Sequence, residues 1–389
     1  MKISPQEIAA EVVRTTSREK PADAALREVL KAMRDLPPFD AAEVSRAVFM
    51  YYRWHGWTRD ERGVDAKMRL ARRLAERFRA NPTSIPISEL RAKAVPSWTV
   101  EQMEMSDEWL RSLQREAQLW LRAKRGQGKS LAGKLGFART LILPEAVLYE
   151  GETDLFKAPE FHAGEFEIQD VASQAVGVFC DPKPGETWWD ACAGEGGKLL
   201  HLSDLMGNKG LIWASDRAAW RLQKLKRRTA RAKVFNYRAV LWDGGPKPPT
   251  KTKFDGVLVD APCIGVGTWQ RNPHARWTTE LADVRELAEV QQRLLANVAG
   301  SVKPGGKLIY SVCTLTRAET SEVAERFNES QPEFEPLALP DIFRAEKSQS
   351  RPPPPPGFGA ASASAATVTI WPQDLDGNGM FVAAWRRKS

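Results

Sequence analysis

The sequence predicts an α/β protein: a doubly wound, mainly parallel sheet preceded by an all-helical segment. Three observations carry that prediction. From about Phe166 onward, apolar strand-like runs alternate with helical stretches, as successive βαβ units require. Two of those runs, FDGVLVD over 254–260 and KLIYSVC over 307–313, stop at an acid and at a cysteine. Before residue 80 the apolar residues recur only at spacings of three and four, the period of a helix.

The elements follow in order. Helices are expected over residues 6–18, 22–36 and 40–54, the last with Asp40 as N-cap and Glu43 as its capping-box partner. The aromatic-rich stretch 47–57 is read as the core of a small bundle, with His55 inside it or on its surface. Pro82, Pro86 and Pro96 punctuate the next stretch, and 109–124 reads as one amphipathic helix. The run Gly126-Gln127-Gly128-Lys129-Ser130 evokes a phosphate loop, but Ala123 stands where that motif needs glycine and no strand-like run precedes it. It is therefore read as a flexible basic turn. Strands are then expected over 188–192, 210–216, 237–242, 254–260 and 307–313, with a helix over 281–298. The low-complexity stretch 348–366 is expected to be a mobile loop. The runs 367–371 and 380–385 read as a closing antiparallel pair. These boundaries suggest three segments: helical 1–80, a small α+β connection over 81–160, and an α/β domain over 161–389.

Composition bounds the function. A chain of 389 residues with 42% hydrophobic and 27% charged content is an ordinary globular protein of two or three domains. No apolar run approaches the ~20 residues of a membrane span, and the N-terminus lacks a signal-peptide core, so no membrane partner and a cytoplasmic location are expected. The four cysteines show no CxxC spacing, so no metal is expected and a reducing compartment suits them. The net charge of +8 favours an anionic partner. Residues 221–233 hold seven cations and no acid. They read as a track for a phosphate backbone, with Arg221, Lys224 and Arg228 as contacts, against the alternative of a solvated helix face.

Ligands of an open parallel sheet bind beyond the carboxyl ends of its strands, so Cys263 and Cys313 should share one crevice. A thiolate there can add to an electron-poor carbon. Cys180 and Cys192 are read as small buried hydrophobes. The loop DACAGEGGK, residues 190–198, joins a strand to a helix; its glycines and helix-start amides admit a ligand closely. It is not GxGxxG, and Glu195 disfavours a phosphate. The loop from Cys192 through Ala193, Gly194, Glu195, Gly196 and Gly197 to Lys198 suits a cationic or neutral ligand, such as the sulfonium and amino group of S-adenosylmethionine. Asp216 ends the next strand, where an acid commonly holds ribose hydroxyls, and Asp243 ends the one after. Each acid alone is a common turn residue; three at successive strand ends favour a cofactor.

These motifs together resemble a known family, the RNA cytosine-5 methyltransferases of the Sun/NOL1/NOP2 type, and among them the bacterial RsmB-like group that acts on small-subunit rRNA. The resemblance rests on FEIQD at 166–170 with Ser173-Gln174, DACAGEGGK, DAPC at 260–263, GVGT at 265–268 and RNP at 271–273. It continues through KPGG at 303–306, Cys313, Trp371-Pro372, Asp376-Gly377 and MFVA at 380–383. It covers roughly residues 150–389; the first 80 residues resemble a NusB-type helical RNA-binding domain. Three departures stand out. Gly194-Glu195 replaces the family's Ala-Pro, Val312 precedes Cys313 in place of Thr, and RAET at 317–320 stands where an acidic Glu-Glu-Asn run is common.

The resemblance implies a Rossmann-like S-adenosylmethionine-dependent methyltransferase domain behind the NusB-like helices and a small linker domain. It also implies that the 192–198 loop with Asp216, Asp243 and Asp260 binds the cofactor, that Cys313 is the nucleophile and that Cys263 assists release. Chemistry fits: thiolate addition at carbon 6 of cytosine makes carbon 5 nucleophilic, and Asp260 is placed to meet charge developing at N3. The target base must leave its stack to reach the crevice. Trp269, Arg271 and Trp277 either stack on it or belong to a core. Ribosomal RNA is the expected substrate and a monomer the expected state. The alternatives are a tRNA cytosine-5 methyltransferase, a catalytically weak RNA-binding ribosome-assembly factor, a small-molecule or protein methyltransferase on the same fold, and a DNA cytosine methyltransferase.

Overall fold

A computed structural model describes residues 3–33, 35–140, 143–342 and 366–389. The loop expected over 348–366 lies outside the described residues except for Ala366. The chain divides into two compact units, Met1–Ala117 with Gly265–Asp283 and Gln118–Ile264 with Val284–Ser389. The sequence reading places its boundaries elsewhere, at 80 and 160.

The first unit holds α1 (Pro5–Thr15), α2 (Ala22–Ala32), α3 (Pro38–Arg53), α4 (Val64–Ala80), α5 (Ile87–Lys93), α6 (Thr99–Gln102) and α7 (Asp107–Ser112). A reciprocal Ser4–Glu7 capping box starts α1, with the Ser4 amide 2.8 Å from the Glu7 carboxylate. The start expected at Asp40 is corrected: α3 begins at Pro38, whose fixed φ suits a first helical position, and Asp40 lies inside the first turn. Tyr51, Tyr52, Trp54 and Trp57 are buried, so the aromatic stretch is core. Burial, with Lys67 and Arg59 nearby, pulls the His55 pKa down to about 4. Within this unit the 265–283 segment is anchored by Arg276. Its guanidinium is fully enclosed and donates to the carbonyls of Ala94 (2.9 Å), Leu113 (3.1 Å) and Trp269 (3.3 Å). Trp269 is fully buried against Trp98 and Trp109, and the Trp277 indole donates to the Tyr52 carbonyl at 2.7 Å. Trp269 is thus a core residue of this unit.

The second unit opens with β1 (Leu119–Ala123), α8 (Gly128–Leu135), β2 (Ala138–Thr140), β3 (Ala146–Tyr149), α9 (Pro159–His162) and β4 (Phe166–Ile168). The four strands form an antiparallel sheet in the order β2-β3-β1-β4. Two expectations are corrected here. The helix over 109–124 is a short helix and then a strand, because Trp120, Leu121 and Arg122 are all buried between β3 and β4. The basic turn at 126–130 does follow a strand, and it enters α8 at Gly128. Its Gly126 amide is taken by Glu145 at 3.0 Å, and a Cβ on Gly128 would sit 1.9 Å from the Pro144 carbonyl oxygen. Both features fasten the loop to the β2–β3 connection.

The main sheet follows: α10 (Val171–Cys180), β5 (Thr187–Asp190), α11 (Gly197–Leu205), β6 (Leu211–Asp216), α12 (Ala219–Ala232), β7 (Tyr237–Leu241), β8 (Phe254–Asp260), then α13 (Ala275–Thr278), which belongs to the first unit, and α14 (Leu281–Ala299), β9 (Val302–Val312), α15 (Ser321–Ser330), β10 (Phe334–Pro336), β11 (Thr367–Ile370), α16 (Pro372–Leu375) and β12 (Met380–Arg387). Its order is β10-β12-β9-β8-β5-β6-β7, with β11 also paired to β12. Strands β5 to β9 run parallel and β12 runs antiparallel to β9, β10 and β11. This is a Rossmann-like fold, as the alternation predicts. Both faces are covered, which is why the strands read as continuous apolar runs. Trp188 points into the face packed by α10, α11 and α12, and Trp189 into the face packed by α14 and α15. Strand order reverses between β5 and β8, so the binding crevice belongs beyond Asp190 and Asp260.

Candidate active site

The cysteines meet as their strand ends demand. Asp260 pairs with Ser311 across β8 and β9, and the Ala261 amide donates to the Ser311 carbonyl at 3.0 Å. The chain then leaves both strands side by side, which sets the Cys263 and Cys313 sulfurs 3.3 Å apart, both half-buried. Cys180 is fully buried in the core, and burial pushes its thiol well up. Cys192 is raised in the same way, by enclosure of its sulfur and then by the charges of Asp190, Asp260 and Asp216. Neither suits a thiolate nucleophile.

Lys198, expected with the cofactor loop, reaches across to this pair. Its ammonium lies 2.6 Å from Asp260 Oδ2, while the Ser311 hydroxyl donates to Oδ1 at 2.8 Å. Burial alone would lower the Lys198 pKa. The attraction and hydrogen bond of Asp260, with Cys313 alongside, outweigh burial and raise it. Lys198 therefore stays cationic, with Cys313 alongside.

The loop after β5 is shaped by two left-handed glycines, Gly194 (φ 55°) and Gly196 (φ 88°). A Cβ on Gly196 would also meet Leu225 at 2.9 Å. Asp216 shapes the same loop, taking the Gly194 amide at 3.1 Å and the Ala218 amide at 2.8 Å. Asp243 is exposed and accepts the Gly245 amide at 2.9 Å, a turn contact. The Glu195 carboxylate is paired with Lys224 at 2.7 Å.

Asp190, which opens the 190–198 loop, is not among the cofactor contacts that the sequence reading names. It is 1% exposed, and neither carboxylate oxygen has a well-formed hydrogen bond; only the Cys192 amide leans on it. Burial, then repulsion from Asp260 and Asp216 against the pull of Lys198, raises its pKa to about 7. A buried, unpaired carboxylate is costly, and such groups cluster where ligands bind. Its place at the end of β5, in line with Asp216 and Asp260, was the available signal.

The cationic helix α12 is partly occupied. Arg221 lies 3.8 Å from Asp216, Lys224 holds Glu195, and Arg228 (2.9 Å) and Arg231 (2.5 Å) hold the buried Glu167. Lys226 and Arg227 stay exposed, and among the described residues no ion pair involves either. Arg271 is exposed and falls in the first unit. Among the described residues no three His, Cys, Asp or Glu side chains gather as a metal site, and no helix is long and apolar enough to cross a membrane.

Residues 178–386, which contain every one of these strand ends, match the family model described as 16S rRNA methyltransferase RsmB/F. The chain belongs to that family. A probable ribosomal RNA small subunit methyltransferase B from Synechocystis is 41% identical over 191 residues, 48% of this chain and 42% of that protein. One from Bacillus subtilis is 39% identical over 178 residues, covering 45% and 40%. The chain thus spans less than half the length of these two relatives. A crystal structure of a methyltransferase homolog protein from Pyrococcus horikoshii is 26% identical with a TM-score of 0.59, covering 72% of this chain and 90% of that one. NSun6 from the same organism, solved with SFG, shares the fold at 18% identity, with a TM-score of 0.61 and coverage of 73% and 94%.

Proposed function

We propose that this chain is an S-adenosylmethionine-dependent RNA cytosine-5 methyltransferase acting on ribosomal RNA of the small subunit through a cysteine adduct. The observation that carries the proposal is the pair of sulfurs 3.3 Å apart beside the Lys198–Asp260 ion pair, at the ends of adjacent parallel strands. The names of the relatives support the RNA substrate.

The residues beyond β5 and β6 fit the cofactor. The buried Asp190 carboxylate, with only the Cys192 amide leaning on it among the described residues, suits an amino group. Asp216 closes β6, the strand end where an acid commonly holds ribose hydroxyls. Bound there, S-adenosylmethionine supplies an electrophilic methyl group for carbon 5. The chain's own residues do the rest. Cys313, reacting as thiolate, gives the electron pair that forms the bond to carbon 6. The Lys198–Asp260 pair meets the negative charge that this addition drives toward N3. After methylation the carbon 5 proton is lost, its electron pair restores the ring double bond, and Cys313 leaves as thiolate. Cys263 assists that last step.

The test is to incubate the protein with unmodified small-subunit rRNA and methyl-labelled S-adenosylmethionine and to map the label. Label at carbon 5 of a cytosine, abolished by Cys313→Ala with cofactor affinity unchanged, is the expected result. Label on another base, or full turnover without Cys313, overturns the proposal.

A further inference from the structure

Strand pairing alone does not fix the two thiols, because Cys263 lies three residues beyond Asp260, the last β8 residue paired with β9, and Cys313 lies one beyond Val312, the last β9 residue, which pairs with Phe381 of β12. A buried polar network holds the chain around each. Gln291 Nε2, on α14, donates to the Pro262 carbonyl and to Glu319 Oε1, each at 2.9 Å. The Ile264 amide donates to the same carboxylate oxygen at 3.1 Å. The carbonyl before Cys263 and the amide after it therefore both end on one side-chain pair. On the Cys313 side, the Thr316 hydroxyl donates to Glu319 Oε2 at 2.9 Å. The Tyr310 hydroxyl lies 2.6 Å from the Glu319 carbonyl oxygen and 3.0 Å from Gln291 Oε1, two acceptors that share its one proton. Gln291, Tyr310, Thr316 and Glu319 are all fully enclosed. Burial raises the Glu319 pKa against the opposing hydrogen bonds from Gln291, Ile264 and Thr316.

A carboxylate buried among the uncharged donors Gln291, Ile264, Thr316 and Thr314 costs more to bury than apolar packing in the same space. Satisfied polar networks of this kind specify one geometry. We infer that Gln291 and Glu319 are positioning residues that clamp the Cys263 loop onto the Cys313 strand and so set when the covalent adduct is released. The timing of release rests on the proposed roles of Cys313 and Cys263; the clamp itself does not.

Two measurements separate these parts. Diamide, a two-electron oxidant, takes two electrons and two protons from the thiol pair, leaving a Cys263–Cys313 disulfide and a hydrazine. Glu319→Ala should form that disulfide about tenfold more slowly than wild type, as loss of a buried charged hydrogen-bond acceptor implies. Glu319→Gln, which keeps the volume and an acceptor oxygen, should react as wild type does. Equal rates in Glu319→Ala and wild type overturn the clamp. If Glu319→Ala fails to fold, Tyr310→Phe decides: about threefold slowing is expected from one lost hydroxyl, and an unchanged rate overturns the inference. In the second measurement, Glu319→Ala with RNA and cofactor should accumulate the denaturation-resistant adduct expected of Cys263→Ala, and the double variant should accumulate no more than Cys263→Ala alone. Reduced turnover without adduct removes the release role from the pair. If Cys263→Ala itself traps nothing, the reading of Cys263 fails while the oxidation rates still judge the clamp.

Discussion

Asp190 keeps its proton in the folded protein up to about pH 7, well above the ordinary carboxylate value near 4. The sign follows from its raised pKa. Its contribution to folding is fully present below about pH 4 and is lost as pH rises through about 7. Pairing with a cationic amino group reverses the preference, so cofactor affinity should rise as pH climbs through about 7. Asp190→Asn should bind more weakly and lose that slope; titration calorimetry across this range checks it, and an unchanged slope would assign the pH dependence elsewhere. Several of these residues were legible in the sequence because short motifs place them, the two cysteines and Asp260 above all. Which strand-end acid lacks donors was not legible, since that depends on what folds over it. Nor were Gln291 and Glu319, whose partners lie 28 and 55 positions away.

At the scale of elements, the loop between β5 and α11 makes a graded prediction. Gly196→Ala meets both a left-handed backbone and the Leu225 side chain, whereas Gly194→Ala meets open space. The first should cost about 1–3 kcal/mol and the second about 1 kcal/mol. Thermal unfolding with and without cofactor would rank them, and equal effects would show that the Leu225 side chain is unimportant there. On α12, replacing Lys226 and Arg227 by Gln should flatten the slope of log affinity for RNA against log salt, by about one for each phosphate no longer neutralised. Arg228→Gln should instead destabilise the fold, because it uncovers the buried Glu167. A salt slope unchanged in the Lys226/Arg227 variant would make that face an ordinary solvated one. The parallel strands were legible from their continuous apolar runs. The stretch 109–124 was not: its residues carry a helix-like apolar spacing, and only pairing with β3 and β4 turns 119–123 into a strand.

The whole molecule divides where no compositional break announces it. The sequence reading assigns residues 265–283 to the α/β domain over 161–389, yet they belong with the helices of 1–117 through Trp269 and the enclosed Arg276. Neither the burial of an arginine nor its choice of main-chain carbonyls is written in local sequence. Arg276→Leu strands those carbonyls and should cost about 3 kcal/mol or more. Urea unfolding checks this, and a loss under about 1 kcal/mol would show that water replaces the guanidinium.

Two sulfurs arrive from different strands and, in the proposed mechanism, do different jobs. The most direct test mixes Cys263→Ala with rRNA and S-adenosylmethionine and resolves the products by denaturing electrophoresis. A protein–RNA adduct that disappears in the Cys263→Ala, Cys313→Ala double variant is the predicted result. An adduct that persists in the double variant, or one that forms with Cys313→Ala alone, would contradict the assignment of Cys313 as nucleophile.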